Sequence, residues 1–433
     1  MLAYYIDLAL RSFKSARALS LLMILALGLG IGACMTTLTV YKVLAGDPIP
    51  HKSDRLFNVQ LDAGSMIGYQ AGQEPVFQLS RFDAEALMHA RHAKRQVMMT
   101  GANVPVQPES TALKPFFAVA RYATTDFFAM FDAPFAYGGG WDAQADASEA
   151  RVAVISSELN DKLFGGENSV GRDLRIRSEA FRIVGVLKAW KPVPHYYDMT
   201  MGMTEYEQVL LPFSTAMGLK FGSSGNMDCW GSSNGLSPRD LNSPCAWIQY
   251  WVELESADQA PAFRDYLVQY SEEQRRAGRF ERPANVRLRN VTDWLVFQKA
   301  LPSDVRLQVW LAFGFLLVCL TNTVGLLLAK CLRRSAEIGV RRALGATRRD
   351  VFAQFLVEAG TIGVAGGVLG LVLAVLGLWL VQHSPAEYAP LVSMDWPMLS
   401  LTLLLALASS LIAGLLPAWR AAHVTPAQQL KTQ

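Results

Sequence analysis

KCLRRSAEIGVRRALGATRRDV, residues 330–351, decides how this chain is organised. The stretch carries seven basic residues (Lys330, Arg333, Arg334, Arg341, Arg342, Arg348 and Arg349) against two acids, Glu337 and Asp350. Apolar runs lie on both sides of it. Positive charge next to a membrane span stays on the cytoplasmic face, so the segment orients everything joined to it. Four apolar runs are present, at residues 19–44, 305–329, 351–381 and 396–419. Each has the ~20 mostly apolar residues that a hydrocarbon core of about 30 Å requires. The first run is longer than the apolar part of a cleaved signal peptide, and no clear A-x-A site follows it.

The remaining charges agree with this orientation. Arg11, Lys14 and Arg17 precede the first run, and Arg420, His423 and Lys431 follow the fourth. The link at residues 383–395 has neither Lys nor Arg. The expected fold is therefore a four-helix transmembrane domain with both termini cytoplasmic. A large α+β domain on the outer side is inserted between helices 1 and 2. In chain order the reading is an amphipathic helix on the inner membrane surface (1–18), transmembrane helix 1 (19–46), the outer domain (47–303) and helix 2 (304–330). A cytoplasmic segment (331–350), helix 3 (351–382), a short outer loop (383–395), helix 4 (396–419) and a cytoplasmic tail (420–433) complete it. In the first segment Leu2, Ile6, Leu10 and Phe13 recur at helical spacing while the basic residues can face lipid phosphates.

With 433 residues, half of them hydrophobic, the chain has room for both parts. A net charge of +3, with the basic residues gathered at membrane edges, argues against a nucleic-acid partner. Within the spans, Gly28/Gly32 and Gly363/Gly367 are small-xxx-small pairs that let helix backbones approach. They fit packing within the chain and a subunit interface equally well. Asn322 in the second run reads as a buried amide seeking a helix–helix partner.

In the outer domain, RVAVIS reads as a strand, SELNDKLFG as a short helix, and VGRDLRIRSEAFRIVGVLKA as two alternating strands around a turn. A helix is expected near residues 259–276, where Phe263, Tyr266, Leu267 and Tyr270 share a face. Cys229 and Cys245 flank fifteen polar, aperiodic residues on the oxidising side of the membrane. They are predicted to form a disulfide, which for a loop of that length stabilises by roughly 3 kcal/mol in the chain-entropy account.

Several motifs imitate catalytic chemistry without completing it. GENSVGR, residues 166–172, resembles a phosphate-binding loop, but Arg172 and Asp173 stand where the Lys and the Ser/Thr hydroxyl would be. His89 and His92 have a metal-like spacing, yet Arg91, Lys94 and Arg95 would repel a cation. No HExxH occurs. The expectation is no catalytic residue and no metal site, which points to transport or signalling. The 333–351 segment could be a helical peg for a partner's groove or a positively charged loop on the membrane surface.

At this point the sequence is similar to a known family. SAEIGVRRALGATRRDVFAQFLVEAG (335–360) and GLLPAWRAAHVTPAQQLK (414–431) resemble the signature of MacB/FtsX-type ABC transporter permeases. RVAVISSELNDKLFG, VGRDLRI and FRIVGVLKA resemble their MacB-like periplasmic core domain. DLALRSFKSARALSLLMILALGLGIGA (7–33) resembles their entry helix and first span. Residues 53–115 and 192–256 match weakly, and whatever is particular to this chain is expected there.

The resemblance implies a multi-pass protein of the bacterial inner membrane whose large domain is periplasmic. It implies a dimer with a second FtsX-type permease, identical or not. It also implies a cytoplasmic ABC ATPase docked on the short helix after the second span, a role that falls on Glu337, Ile338, Gly339, Arg341, Arg342, Gly345 and Ala346. ATP and magnesium would act through that ATPase, with no cofactor bound by this chain. MacB itself carries its ATPase on the same polypeptide. None is present in this sequence, so a separate subunit is expected. The implied activity is mechanotransmission: hydrolysis moves the periplasmic domain, which expels a peptide, antibiotic or other amphiphile, with a periplasmic adaptor and an outer-membrane channel as further partners. Lol-like lipoprotein extraction and FtsX-like signalling to a periplasmic hydrolase are the alternatives.

Overall fold

The computed structural model describes residues 8, 17–109, 113–200, 202, 205–232, 235–384, 389, 392 and 395–423. Most of the amphipathic helix expected over 1–18, most of the 383–395 link and the tail beyond 423 fall outside these residues. The chain divides into two compact units: Met1–Ala45 with Leu301–Gln433, and Gly46–Ala300.

Among the described residues, the first unit contains four helices long and apolar enough to cross a membrane: Arg17–Ala45, Ser303–Arg333, Arg348–Gln382 and Trp396–Ala422. Small residues set how they pack. A Cβ added to Gly28 or Gly32 in the first helix would come within 2.8 Å of Leu369 or Leu373 in the third. In the third helix, one on Gly366 or Gly370 would meet Leu27 or Ile31 of the first at 3.0 and 2.9 Å. Gly363 and Gly367 turn the other way, against Ser410 and Ala406 of the fourth helix. Of the two readings left open for Gly28, Gly32, Gly363 and Gly367, the structure shows contacts within the chain. Close backbone approach of this kind supplies the dispersion contacts that hold helices together in lipid, where no hydrophobic driving force acts between them. Lys42 and Asp395, from the first helix and the cap of the fourth, form an ion pair at 2.7 Å. Asn322 is not buried, as the sequence suggested. It lies on the exposed face of the second helix, because the neighbouring Thr323 takes the inward position.

The inserted unit is α+β, with a sheet of twelve strands among the described residues. They are β1 (Leu56–Leu61), β2 (Leu79–Ser80), β3 (Arg95–Gln107), β4 (Phe116–Ala123), β5 (Phe135–Gly138) and β6 (Val152–Ile155). The others are β7 (Asp173–Ile176), β8 (Glu179–Leu187), β9 (Val209–Pro212), β10 (Asp228–Cys229), β11 (Cys245–Glu253) and β12 (Val286–Asn290). The main path runs β12-β1-β11-β3-β4-β9-β6-β8-β5. Its first five strands are antiparallel to their neighbours. The path then continues through a parallel pairing in which Ala120 on β4 faces Val209 on β9.

Both faces of the sheet are covered. Trp247, Tyr250 and Phe213 belong to one apolar cluster; Trp251, Trp294, Phe127 and Phe131 belong to the other. The helix Ala260–Arg276 begins with a proline in its first turn, where the missing N–H has no partner to lose, and buries Phe263, Leu267 and Tyr270. The stretch 166–172 forms the turns leading into β7. Cys229 on β10 stands directly opposite Cys245 on β11, and a disulfide joins them.

Candidate functional site

The second membrane helix ends at Arg333, and Arg334 (φ −101°, ψ 11°) breaks its course. A separate helix of nine residues follows, Ser335–Ala343. Gly345 then adopts φ +104°, a left-handed conformation that a residue with a Cβ reaches only with strain. Thr347 starts the third membrane helix with a capping box. Its hydroxyl accepts from the Asp350 N–H, and the Asp350 carboxylate accepts from the Thr347 N–H, satisfying two otherwise orphaned donors.

This short helix has two different faces. Ile338 is buried and packs with Cys331, Val351, Phe355, Ala418 and Ala421 from the adjoining ends of three membrane helices. Gly339 is also buried. Val340 and Leu344 point away and are 56% and 83% exposed. Leu344 therefore does not share the seated face of Ile338. Six residues at about 100° each place Leu344 about 120° around the axis from Ile338.

The polar residues brace the helix. Glu337 accepts from Arg334 Nε at 3.0 Å and from Arg341 Nη2 at 2.7 Å. The Arg334 hydrogen bond holds the Glu337 carboxyl below the usual carboxylate range, against a smaller upward push from burial. Arg341 also donates to Gln354 at 3.1 Å, and Arg342 to the carbonyl of Ala422 at 3.4 Å. Gly345 is exposed and Ala346 half-buried at the turn.

Behind the short helix lies a charge cluster that the sequence reading missed. Lys330 was counted among the basic residues of the cytoplasmic segment. The structure buries it to 2% exposure of the side chain, with Nζ 2.5 Å from Glu358 Oε1 in the third membrane helix. Lys330 also donates to Ser20 Oγ in the first helix at 3.2 Å. Arg334 Nη1 lies 3.6 Å from the second Glu358 oxygen. The available signal was Glu358 itself, a carboxylate inside an apolar run, where an ionisable group is costly unless paired.

The inserted unit holds a second buried network. Arg121 on β4 donates to Asp198 Oδ2 at 2.8 Å and to Glu207. Tyr197 donates to Glu207 Oε2 at 2.8 Å, and His195 Nε2 lies 3.2 Å from Glu207 Oε1. Gln249 on β11 reaches Asp198 Oδ1 at 3.2 Å. The network fastens the long connection between β8 and β9 to the sheet. Burial pushes the Glu207 carboxyl up, but the charges of Arg121 and His195 outweigh it and hold the group well below its ordinary range. Among the described residues, no group of three or more His, Cys, Asp or Glu side chains is arranged to hold a metal.

Comparison with known proteins decides the family. A model of the MacB-like periplasmic core domain matches residues 20–270, more than half of the chain, and a model of the FtsX-like permease C-terminal region matches residues 309–426.

The chain belongs to the MacB/FtsX-type ABC permeases.

The permease is 27% identical over 314 residues to the pyoverdine export ATP-binding/permease protein PvdT of Pseudomonas entomophila, a match covering 71% of this chain and 42% of that protein. It is 24% identical over 300 residues to the macrolide export ATP-binding/permease protein MacB of Marinobacter nauticus, covering 69% of this chain and 41% of that protein. It thus spans about two fifths of the length of these relatives. The periplasmic region of MacB from Actinobacillus actinomycetemcomitans aligns in structure with a TM-score of 0.37 at 11% identity, covering 60% of this chain and 98% of that one. The FtsX-like match contains the whole Ser335–Ala343 helix and its bracing residues, together with Lys330 and Glu358.

Proposed function

We propose that this permease couples ATP hydrolysis by a cytoplasmic ABC ATPase, carried on a partner polypeptide, to movement of its inserted domain on the periplasmic side of the inner membrane. The movement expels a peptide, antibiotic or other amphiphile from the periplasm. ATP and magnesium act in the ATPase. The observation that carries this reading is the short helix. It is gripped on one face through Ile338 and offers Val340 and Leu344 to solvent on another. An apolar pair on a firmly seated helix is the kind of anchor that fills a partner's groove. The export functions named for the relatives support the same direction.

A second permease subunit completes the assembly. On the exposed face of the second membrane helix, Leu311, Phe315, Val318, Asn322, Gly325 and Ala329 recur at alternating steps of four and three, the spacing of a helix–helix seam. An amide facing hydrocarbon is costly without a partner, and Asn322 has both a donor and an acceptor for its counterpart on a facing helix. Asn322→Cys is expected to cross-link to a second permease subunit on mild oxidation, whereas Leu404→Cys, on the exposed face of the fourth helix, should not. Equal cross-linking by both would remove the seam.

Purification in mild detergent tests the functional reading. Recovery of an ATPase together with a periplasmic adaptor, the route to an outer-membrane channel, supports export. An ATPase with an acylated protein cargo would indicate lipoprotein extraction, and an ATPase with a periplasmic hydrolase would indicate signalling. Recovery without any ATPase contradicts the proposal.

A further inference from the structure

If a partner pushes the Ser335–Ala343 helix, the displacement must reach the membrane helices without being absorbed at the break before it. Arg334 alone separates the short helix from the second membrane helix, and its backbone is not helical. A hinge there would let the short helix tilt while the bundle stayed still. The charge cluster removes that freedom. Glu358 on the third helix holds Lys330, in the last turn of the second helix, through one oxygen at 2.5 Å, and faces Arg334 with the other at 3.6 Å. Arg334 in turn holds Glu337 of the short helix at 3.0 Å, and Lys330 reaches Ser20 of the first helix. Three membrane helices and the short helix thus meet around one carboxylate that is 2% exposed. At such a depth solvent screens the charges little, and a displaced partner leaves an uncompensated buried charge, so the groups move together.

We propose that Glu358 is the positioning residue that makes the short helix and the membrane helices one mechanical body, passing displacement of the helix into the second and third spans. The inference rests on the ATPase-coupled reading above. Glu358, 2% exposed, is not among the residues proposed to meet the ATPase.

The test uses the full permease with its ATPase in proteoliposomes. Leu307→Cys, exposed near the start of the second helix, reports movement through its maleimide labelling rate, measured without nucleotide and in the vanadate-trapped ADP state of the ATPase. The wild-type background should show a rate ratio of at least threefold between the two states. Glu358→Gln should bring the ratio close to one while ATPase co-purification and ATP hydrolysis stay within twofold of wild type. Glu358→Asp, which keeps the charge, should restore most of the ratio. If Glu358→Gln does not insert, Arg334→Gln, at the membrane edge, should at least halve the ratio.

A role limited to stability predicts a ratio unchanged in every variant that inserts, and that result would overturn the joint alone. A wild-type permease that binds no ATPase, or labels at one rate in both states, would overturn the coupling reading and the joint with it.

Discussion

Replacing Arg121 with methionine should lower the stability of the inserted domain by about 3–5 kcal/mol, the usual cost of removing one partner from a buried charge group. Arg121 is 1% exposed and is shared between Asp198 and Glu207. Without it, two carboxylates stay in a site that water does not reach. The pH dependence should invert as well. In the wild-type domain the Glu207 carboxyl is held well below its ordinary value of 4.5. The stability it contributes is present above that value and is lost as the pH falls toward the folded-state value. In Arg121→Met burial acts with far less opposition, so the Glu207 pKa rises and the variant should gain stability on acidification from neutral pH toward pH 4.5. Denaturant unfolding of both proteins at several pH values, followed by tryptophan fluorescence, checks the size and the sign. A loss under 1 kcal/mol with parallel pH profiles would mean that the network does not hold the connection between β8 and β9.

The second large effect is expected at the surface. Leu344→Glu should weaken ATPase association at least thirtyfold and abolish stimulated hydrolysis without impairing membrane insertion. Leu344 is 83% exposed, so the folded chain loses almost no packing when it changes. A leucine buried in a complex contributes roughly 1.5–3 kcal/mol, and a carboxylate in the same apolar groove adds a desolvation penalty. Thirtyfold corresponds to about 2 kcal/mol. Arg349→Glu, exposed in the first turn of the third membrane helix, is the control for a general effect of charge. If Leu344→Glu binds the ATPase as wild type does while Arg349→Glu does not, the contact is electrostatic and lies beyond the short helix.

What could be read from the sequence follows from how local each signal is. The four spans were legible because a run of ~20 apolar residues has few other solutions. β7 and β8 were legible because Leu174, Ile176, Phe181 and Ile183 alternate with exposed residues. β11 shows no such alternation, since every residue from Cys245 to Glu253 is buried, and a strand covered on both faces loses its period. β3 carries Gly101 and Pro105, which read as breaks. The parallel pairing of β4 with β9 joins residues almost ninety positions apart and leaves no local trace.

The candidate site divides in the same way. The short helix between two spans was visible as a motif, and the structure shows which side of it is free. Lys330 was read as one more interfacial cation because its charge matched its neighbours. Its burial depends on Glu358, twenty-eight residues on, and only the packing of the second and third membrane helices brings the two together. Arg121 was hidden for a related reason: a lone arginine in an apolar strand reads as a residue on the solvent face until Asp198 and Glu207 are placed beside it.

The most direct measurement is the sidedness of two introduced thiols in intact spheroplasts, labelled with a membrane-impermeant maleimide. Ser237→Cys, exposed in the inserted domain, should label at once. Ala343→Cys, exposed at the end of the short helix, should label only after the membrane is permeabilised. Labelling of Ala343→Cys in sealed spheroplasts with protection of Ser237→Cys would put the helix on the wrong side of the membrane for any ATPase to reach and would contradict the account.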